Sequence, residues 1–245
     1  MLEKIFKLKE HRTTVKTEVV AGIITFLTMS YILVVNPNIL SATGMDRGAL
    51  FTATAIAAIF GTLFMAFIPN LPIAQAPGMG LNSFFAFSVV LGLGYSWEMA
   101  LTAVFIQGII FVILTFFNVR ELIVKSIPST IKYAIPVGIG LFITLLGLQN
   151  AGLIVKDENT MVTLGQMSNP HVWVALLGLI TTAVLYYKKI HGAFLIGIGS
   201  ATIFAVILGL VDLPQGSLVA LPPDISPVFM KFQWEHIFTF DMLIV

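Results

Sequence analysis

A proline- and glycine-rich stretch over residues 70–82, NLPIAQAPGMGLN, separates two long apolar runs of the chain. Proline lacks a backbone N–H and glycine weakens regular structure, so the stretch predicts non-helical backbone until about Leu81. The apolar run that follows, to about Gly94, supplies only half of a membrane span. Unwound backbone at membrane depth survives where it is buried in protein or lines a cavity, which makes this stretch a candidate substrate site. The alternative is a short cytoplasmic loop ahead of an ordinary helix.

The composition predicts a protein embedded in the lipid bilayer. Of the 245 residues, 58% are hydrophobic and 10% are charged, whereas soluble domains carry about 25% charged residues. There are 13 basic and 12 acidic residues without any basic tract, so no nucleic-acid partner is expected. Cysteine is absent, which excludes disulfides. The charged N-terminus is followed by a full-length span, unlike a cleavable signal peptide.

Seven crossings are predicted for an all-α integral membrane protein, and the third is a broken helix that contains a short extended segment. The crossings cover about residues 19–35, 49–68, 81–94, 97–117, 135–154, 171–187 and 192–211. The first is expected to close at a turn over residues 36–38, and residues 156–170 are expected to form a polar loop. Residues 1–18 are predicted to be an amphipathic cytoplasmic leader, and residues 119–134 a surface helix or linker.

The charge distribution predicts the orientation of the chain. With a cytoplasmic N-terminus, ten of the 13 basic residues lie on the inside, including Lys188 and Lys189. Asp157 and Glu158 then lie outside, as the positive-inside rule requires. We therefore expect a multi-pass protein of the cell membrane with its N-terminus in the cytoplasm.

An odd number of spans followed by the start of another is typical of one half of an inverted-repeat transporter. We expect residues 19–237 to form a first seven-span repeat and residues 238–245 to begin an eighth span. On this interpretation the chain is truncated, and the second repeat of the same protein is its expected partner. A homodimer is a further expected assembly.

Three stretches resemble one transporter family. They are TFLTMSYILVVNPNIL at 25–40, AQAPGMGLNSFFAF at 74–87 and IPVGIGLFITLLGLQNAGLI at 135–154. They are similar to the nucleobase–cation symporters, in the branch of adenine/guanine/hypoxanthine (AzgA-like) purine permeases. The resemblance implies two inverted seven-span repeats and proton-coupled uptake of purine nucleobases, with no cofactor and the proton as coupling ion. It places the coupling carboxylates on the eighth and tenth spans, mostly beyond residue 245.

Candidate binding residues lie on the first and third crossings. Asn82 offers two donors and an acceptor that match a purine edge, and the resemblance carries the family's third-helix polar contact onto it. The alternative is that Asn82 caps the half-helix. Backbone amides of residues 79–83 would add donors, and phenylalanines after Ser83 would add a stacking face. The predicted substrate-binding residues are Thr28, Ser30, Met79, Gly80, Leu81, Asn82, Ser83 and Phe85.

Other functional groups are sparse within the predicted spans. The hydroxyls of Thr28 and Ser30 also have an ordinary alternative, a bond to their own helix backbone. The seven predicted crossings hold no acidic residue, lysine or arginine at membrane depth and no catalytic or metal-ligand grouping, so an enzyme is not expected. Two alternative functions stay open. One is a carrier of the same architecture for pyrimidines, xanthine or small anions, and the other is a non-transporting membrane assembly subunit.

Overall fold

The computed structural model describes residues 5–117, 119–190, 192–211 and 220–235, and most of them are helical. The helices are α1 (Val15–Met29), α2 (Ile32–Ser41), α3 (Arg47–Phe67), α4 (Met79–Ser83), α5 (Leu91–Leu93), α6 (Trp97–Phe116), α7 (Val119–Ser126), α8 (Ser129–Asn150), α9 (Pro170–Tyr187) and α10 (Ala193–Ile207). A π-helix (Phe84–Val90) joins α4 to α5, and two strands, β1 (Ile154–Asp157) and β2 (Met161–Leu164), form a hairpin. The predicted start of an eighth span at 238–245 lies outside the described residues.

Five helical segments in the described part of the chain are long and apolar enough to cross a membrane. They are Val15–Ser41, Arg47–Phe67, Trp97–Phe116, Ser129–Asn150 and Pro170–Tyr187. Two shorter apolar helices, Met79–Leu93 and Ala193–Ile207, occupy the third and seventh predicted crossings. Their length and apolar composition support a multi-pass integral membrane protein. The count of seven spans and the inverted repeat remain predictions.

The first crossing begins earlier than the sequence predicts. Helix α1 begins at Val15 because Thr14 caps it: the Thr14 hydroxyl oxygen accepts a hydrogen bond from the Thr17 N–H at 3.2 Å. The helix therefore includes the last residues of the predicted leader, 1–18.

The turn predicted over residues 36–38 is wrong, because α2 continues through Pro37 to Ser41. A proline ring crowds the carbonyl four residues before it, so its disruption falls on the N-terminal side. The carbonyl four residues before Pro37 belongs to Leu33 within α2, and the interruption between α1 and α2 lies further back, at Ser30 and Tyr31. As a result Asn36 is a buried residue inside a membrane-embedded helix.

The β-hairpin begins at Ile154, two residues before the polar loop predicted over residues 156–170, and runs into that loop as far as Leu164, so the fold is not purely α-helical. Strands β1 and β2 are antiparallel, with Ile154 opposite Leu164. The Asp157 carboxylate accepts hydrogen bonds from the N–H groups of Thr160 at 2.8 Å and Asn159 at 2.9 Å, which orders the turn. These bonds, that of the Thr160 amide foremost, hold the pKa of Asp157 below its usual value.

The fifth crossing also begins earlier than predicted. Helix α8 begins at Ser129 and takes over part of the predicted surface segment 119–134, of which α7 forms the first half. The two helices separate at Pro128, because the residue before a proline is disfavoured in the helical conformation. Backbone N–H groups of Ile131 and Lys132 both bond to the Pro128 carbonyl, which starts the new helix.

The chain divides into two compact units, which we call the first and second units. Of the described residues, those within 1–31, 64–74 and 142–221 form the first unit, and those within 32–63, 75–141 and 222–245 form the second. In the first unit α9 packs against α10 at glycines. A Cβ added at Gly178 would lie 2.9 Å from Ala201 Cβ, and one at Gly197 would lie 2.9 Å from Thr182 Cβ. Such small residues let membrane helices approach closely.

The second unit packs around two apolar clusters of buried side chains. One cluster consists of Met45, Ala49, Leu50 and Val228, and the other of Val89, Val90 and Ala100. Phe85 and Trp97 pack against both clusters. The π-helix is therefore held to its neighbours by apolar contacts on one side, which positions α4 directly before it.

Candidate functional site

Residues 70–94, which we call the third segment, pass from irregular backbone into a short helix, as predicted. Residues 71–78 are neither helical nor in a strand, and α4 begins at Met79, two residues before Leu81. The helix from Met79 to Leu93 is shorter than the roughly 20 residues that a spanning helix needs. Its end is marked by Gly94, whose φ of 78° is left-handed.

The irregular backbone at Gln75 is partnered by α3. The N–H of Gln75 donates to the Thr62 hydroxyl at 3.0 Å. A Cβ added to Gly61 would lie 2.9 Å from Gln75 Cβ, so glycine is what allows the chain to lie against the helix here. In hydrocarbon every backbone group must find a partner in the protein, and Thr62 supplies one for this N–H.

The start of α4 corrects two sequence interpretations. The N-cap is Gly78, which has no side chain, and Asn82 lies inside the helix, so the capping alternative for Asn82 is wrong. The N–H of Asn82 donates to the Gly78 carbonyl at 3.1 Å. This amide is therefore not free for a ligand, as the prediction for residues 79–83 required. The N–H groups of Met79, Gly80 and Leu81 belong to the first turn, where a helix has no internal acceptors.

Three polar side chains of the second unit form a hydrogen-bonded relay. Asn82 Nδ2 on α4 donates to Asn36 Oδ1 on α2 at 2.5 Å. Asn36 Nδ2 donates to Thr54 Oγ1 on α3 at 2.8 Å, and Thr54 Oγ1 donates to the Leu50 carbonyl at 2.7 Å. Asn36 and Thr54 are almost completely buried, whereas Asn82 is half-buried. The relay connects the predicted binding residue Asn82 to two neighbouring helices.

Asn36 and Thr54 were not predicted as site residues, although the sequence contains a signal for Asn36. An asparagine inside an apolar helix is costly to bury unless its amide is hydrogen-bonded, so it implies a partner. The neighbouring Pro37 favoured a different interpretation, because the Asn-Pro-Asn run is typical of a turn rather than of a helix interior. Thr54 gave no such signal, since a threonine in a membrane helix usually bonds to its own backbone.

Ser83 is a second polar group of the third segment. Its side chain is buried, and within the described part of the chain its Oγ has no hydrogen-bond partner. The backbone changes from α- to π-helical geometry directly after it, at Phe84. Single π-helical turns are frequent at functional sites. A buried hydroxyl without a partner is costly, so Ser83 has capacity to bond a ligand.

The aromatic residues after Ser83 differ in their surroundings. Phe84 and Phe87 are exposed, whereas Phe85 is partly buried against the two apolar clusters of the second unit. Leu81 is exposed, and Met79 and Gly80 are half-buried. Phe85 thus has a packing role in this structure, and its stacking on a ligand stays a prediction.

Thr28 and Ser30 belong to the first unit. The Thr28 hydroxyl donates to the carbonyls of Ile24 and Thr25, each at 2.9 Å, and the Ser30 hydroxyl donates to Leu27 at 2.9 Å. Both hydroxyls therefore bond to their own helix, which is the ordinary alternative for such residues. A contact with substrate stays a prediction for both.

Comparison with known proteins places this chain in a transporter family. Residues 16–245 match the family described as the Permease family. The chain belongs to this permease family. Its similarity to purine permeases, predicted from three sequence stretches, is confirmed by relatives within the family. The family consists of transporters rather than enzymes, in agreement with the sparse chemistry of the predicted spans.

Three relatives are named for the purines that they carry. Adenine permease AdeP of Escherichia coli strain K12 is 44% identical over 228 residues, which cover 93% of this chain and 51% of AdeP. Guanine/hypoxanthine permease PbuO of Bacillus subtilis strain 168 is 43% identical over 89% of this chain and 53% of PbuO. Guanine/hypoxanthine permease PbuG of the same strain is 42% identical over 100% of this chain and 58% of PbuG. The chain thus spans about half the length of the curated relatives it matches.

Proposed function

We propose that this chain is part of a carrier that takes up purine nucleobases, namely adenine, guanine or hypoxanthine, across the cell membrane. The observation that carries the proposal is Asn82, a half-buried amide that donates to the buried Asn36 from near the start of the short helix Met79–Leu93. Relatives named adenine permease and guanine/hypoxanthine permease support the choice of purines.

The chemistry of the third segment suits a planar, uncharged ligand. Residues 70–94 contain no lysine or arginine, so no basic side chain of this segment would attract an anion. Asn82 retains its carbonyl oxygen and one amide hydrogen after it donates to Asn36. Ser83 adds a buried hydroxyl within the same short helix. A purine edge carries donors and acceptors side by side, and these groups complement such an edge.

We also propose the orientation and the energy source of the carrier. The N-terminus and Lys188 lie in the cytoplasm, on the argument from basic residues, and the β-hairpin lies outside. Transport is coupled to protons. The family resemblance places the carboxylates that bind the coupling proton mostly beyond residue 245. The second repeat of the same protein and a second copy of the carrier are the proposed partners.

The test uses the full-length carrier, expressed in cells that lack their own purine uptake. Radiolabelled adenine, guanine and hypoxanthine are offered to the parent and to Asn82→Ser at matched membrane levels. Serine is too short to reach a ligand that the asparagine amide contacts, so purine affinity should fall by roughly one to two decades. Asn82→Asp should lower it further, because a carboxylate cannot donate and is costly to desolvate.

The control is Asn159→Ser, which makes the same change on the exposed turn of the β-hairpin and should keep the parental affinity. Parental affinity in Asn82→Ser would remove Asn82 from the binding site. Uptake of uracil or xanthine in place of the three purines would contradict the proposed substrate class.

A further inference from the structure

We propose that Thr54 and Asn36 are positioning residues that fix which end of the Asn82 amide is left for the ligand. The end left free is the carbonyl oxygen with one N–H, and a bound purine must therefore supply an N–H donor to Asn82 Oδ1. This inference rests on the proposed function, since it assumes that Asn82 contacts the purine.

The relay ends at a backbone carbonyl, a group whose polarity cannot change. The Leu50 carbonyl oxygen only accepts, and the Thr54 hydroxyl donates to it at 2.7 Å. A hydroxyl has a single hydrogen, so Thr54 Oγ1 can only accept from Asn36. Asn36 must therefore present its NH₂ group to Thr54, as it does at 2.8 Å.

The polarity passes through Asn36 to Asn82. Once the Asn36 NH₂ group faces Thr54, its other end, Oδ1, is an acceptor. Asn82 must then present its own NH₂ group to Asn36, as it does at 2.5 Å. Each amide in the series is oriented by the one before it, and the orientation of Asn82 is set by the Leu50 carbonyl two side chains away.

Burial makes this orientation costly to reverse. Asn36 is 2% exposed and Thr54 is 3% exposed, so bulk water does not reach either side chain to rescue a mismatched bond. Turning the Asn36 amide around would place its Oδ1 against the Thr54 hydroxyl oxygen and its NH₂ group against the NH₂ group of Asn82. Neither pair can form a hydrogen bond, and an unmade bond to a buried polar group is destabilising. A reversed Asn82 would offer a ligand two N–H donors in place of one donor and one acceptor.

The experiment measures which ligand hydrogens the full-length carrier requires. Uptake of labelled hypoxanthine is competed with hypoxanthine and with its 1-, 7- and 9-methyl derivatives, each of which has one ring N–H replaced. In the parent, loss of the N–H that pairs with Asn82 should weaken competition about tenfold or more. Steric effects of the methyl group are the same in every variant, so the change in this penalty isolates the hydrogen bond.

The decisive variant is Thr54→Val, which keeps the shape of the side chain and removes the hydroxyl. Asn36 is then free to turn, Asn82 can present either end, and the penalty for the methyl derivative should shrink to about threefold or less. Thr54→Ser restores a hydroxyl and should restore the penalty. A second variant, Asn36→Leu, removes the acceptor for Asn82 and should abolish the same discrimination if Thr54→Val does not reach the membrane.

Thr102→Val is the matched control. Thr102 is a buried threonine of the second unit that also donates to a carbonyl of its own helix, Glu98, at 2.7 Å. Its other bond is to the Gln233 N–H, away from the relay. A merely structural effect would lower uptake in both valine variants and leave the methyl penalty unchanged. An unchanged penalty in Thr54→Val and Asn36→Leu, with normal purine uptake by the parent, would overturn this inference alone. Failure of the parent to take up purines would overturn the proposed function as well.

Discussion

The side-chain amide of Asn82 donates to Oδ1 of Asn36 at 2.5 Å, across 46 residues of sequence. This bond joins the third segment to α2, whose Pro37 follows Asn36 directly. Both ends of the Asn36 amide are engaged, because its NH₂ group bonds to Thr54. The position of Asn82 therefore depends on a residue that makes no contact with ligand in the proposed site.

Replacement of Asn36 by alanine should destabilise the carrier and weaken purine uptake. The change leaves the buried Thr54 without its donor and Asn82 without its acceptor, and we expect a loss of about 1–3 kcal/mol in the free energy of unfolding. Thermal unfolding of the purified carrier and uptake at matched membrane levels measure the two effects. Asn38→Ala on the same helix, where the side chain is exposed, is the control. Equal stability of the two variants would contradict the relay.

Alanine at Gly61 should displace the irregular chain that precedes α4. The added Cβ would lie 2.9 Å from Gln75 Cβ, an atom that cannot move without the backbone, so residues near Gln75 must shift. We expect purine uptake to fall at least tenfold, since roughly 1 Å of misplacement is enough for such a loss at a binding site. Gly108→Ala, where the new Cβ meets no atom within 4 Å, should transport like the parent. Normal uptake by Gly61→Ala would show that the close approach is not required.

A matched pair of glycines tests the contact between α9 and α10. In Gly197→Ala the methyl group would overlap the Thr182 side chain, whereas in Gly199→Ala it would meet no atom within 4 Å. Overpacking of this kind typically costs about 1–3 kcal/mol. Gly197→Ala should therefore lower the thermal unfolding temperature of the purified carrier, and Gly199→Ala should not. Similar unfolding temperatures for the two variants would contradict the packing of these helices.

Single cysteines test the proposed orientation. Glu158 is preferred to Asp157 for the outer site, because the Asp157 carboxylate orders the hairpin turn and Glu158 is an exposed neighbour. In a carrier without other cysteines, an impermeant thiol reagent added to intact cells should label Glu158→Cys. It should label Lys188→Cys only after the cells are opened. Labelling of Lys188→Cys in intact cells would contradict the proposed topology.

The apolar helices and the break in the third segment could be predicted from sequence alone. Both depend on local properties. The helices follow from the length of an apolar run, and the break follows from the N–H that proline lacks and from the left-handed conformations that glycine can adopt. Asn82 could be singled out for the same reason, since it is the first polar residue in the first turns of helix after the break. The similarity to purine permeases could also be recognised from the sequence, because contiguous stretches of residues carry it.

Only the tertiary structure showed what holds Asn82. The Asn-Pro-Asn run does not decide whether Asn36 ends a helix at a turn or continues it. Proline is common in turns, but a helix can also continue through a proline if it loses the hydrogen bond to the preceding turn. Thr54 becomes a partner only when α3 packs against α2, and Phe85 becomes a packing residue only when both apolar clusters form around it. A buried polar side chain must find a hydrogen-bond partner, but which residue that is depends on which helices meet, and this is decided by packing between residues far apart in the chain.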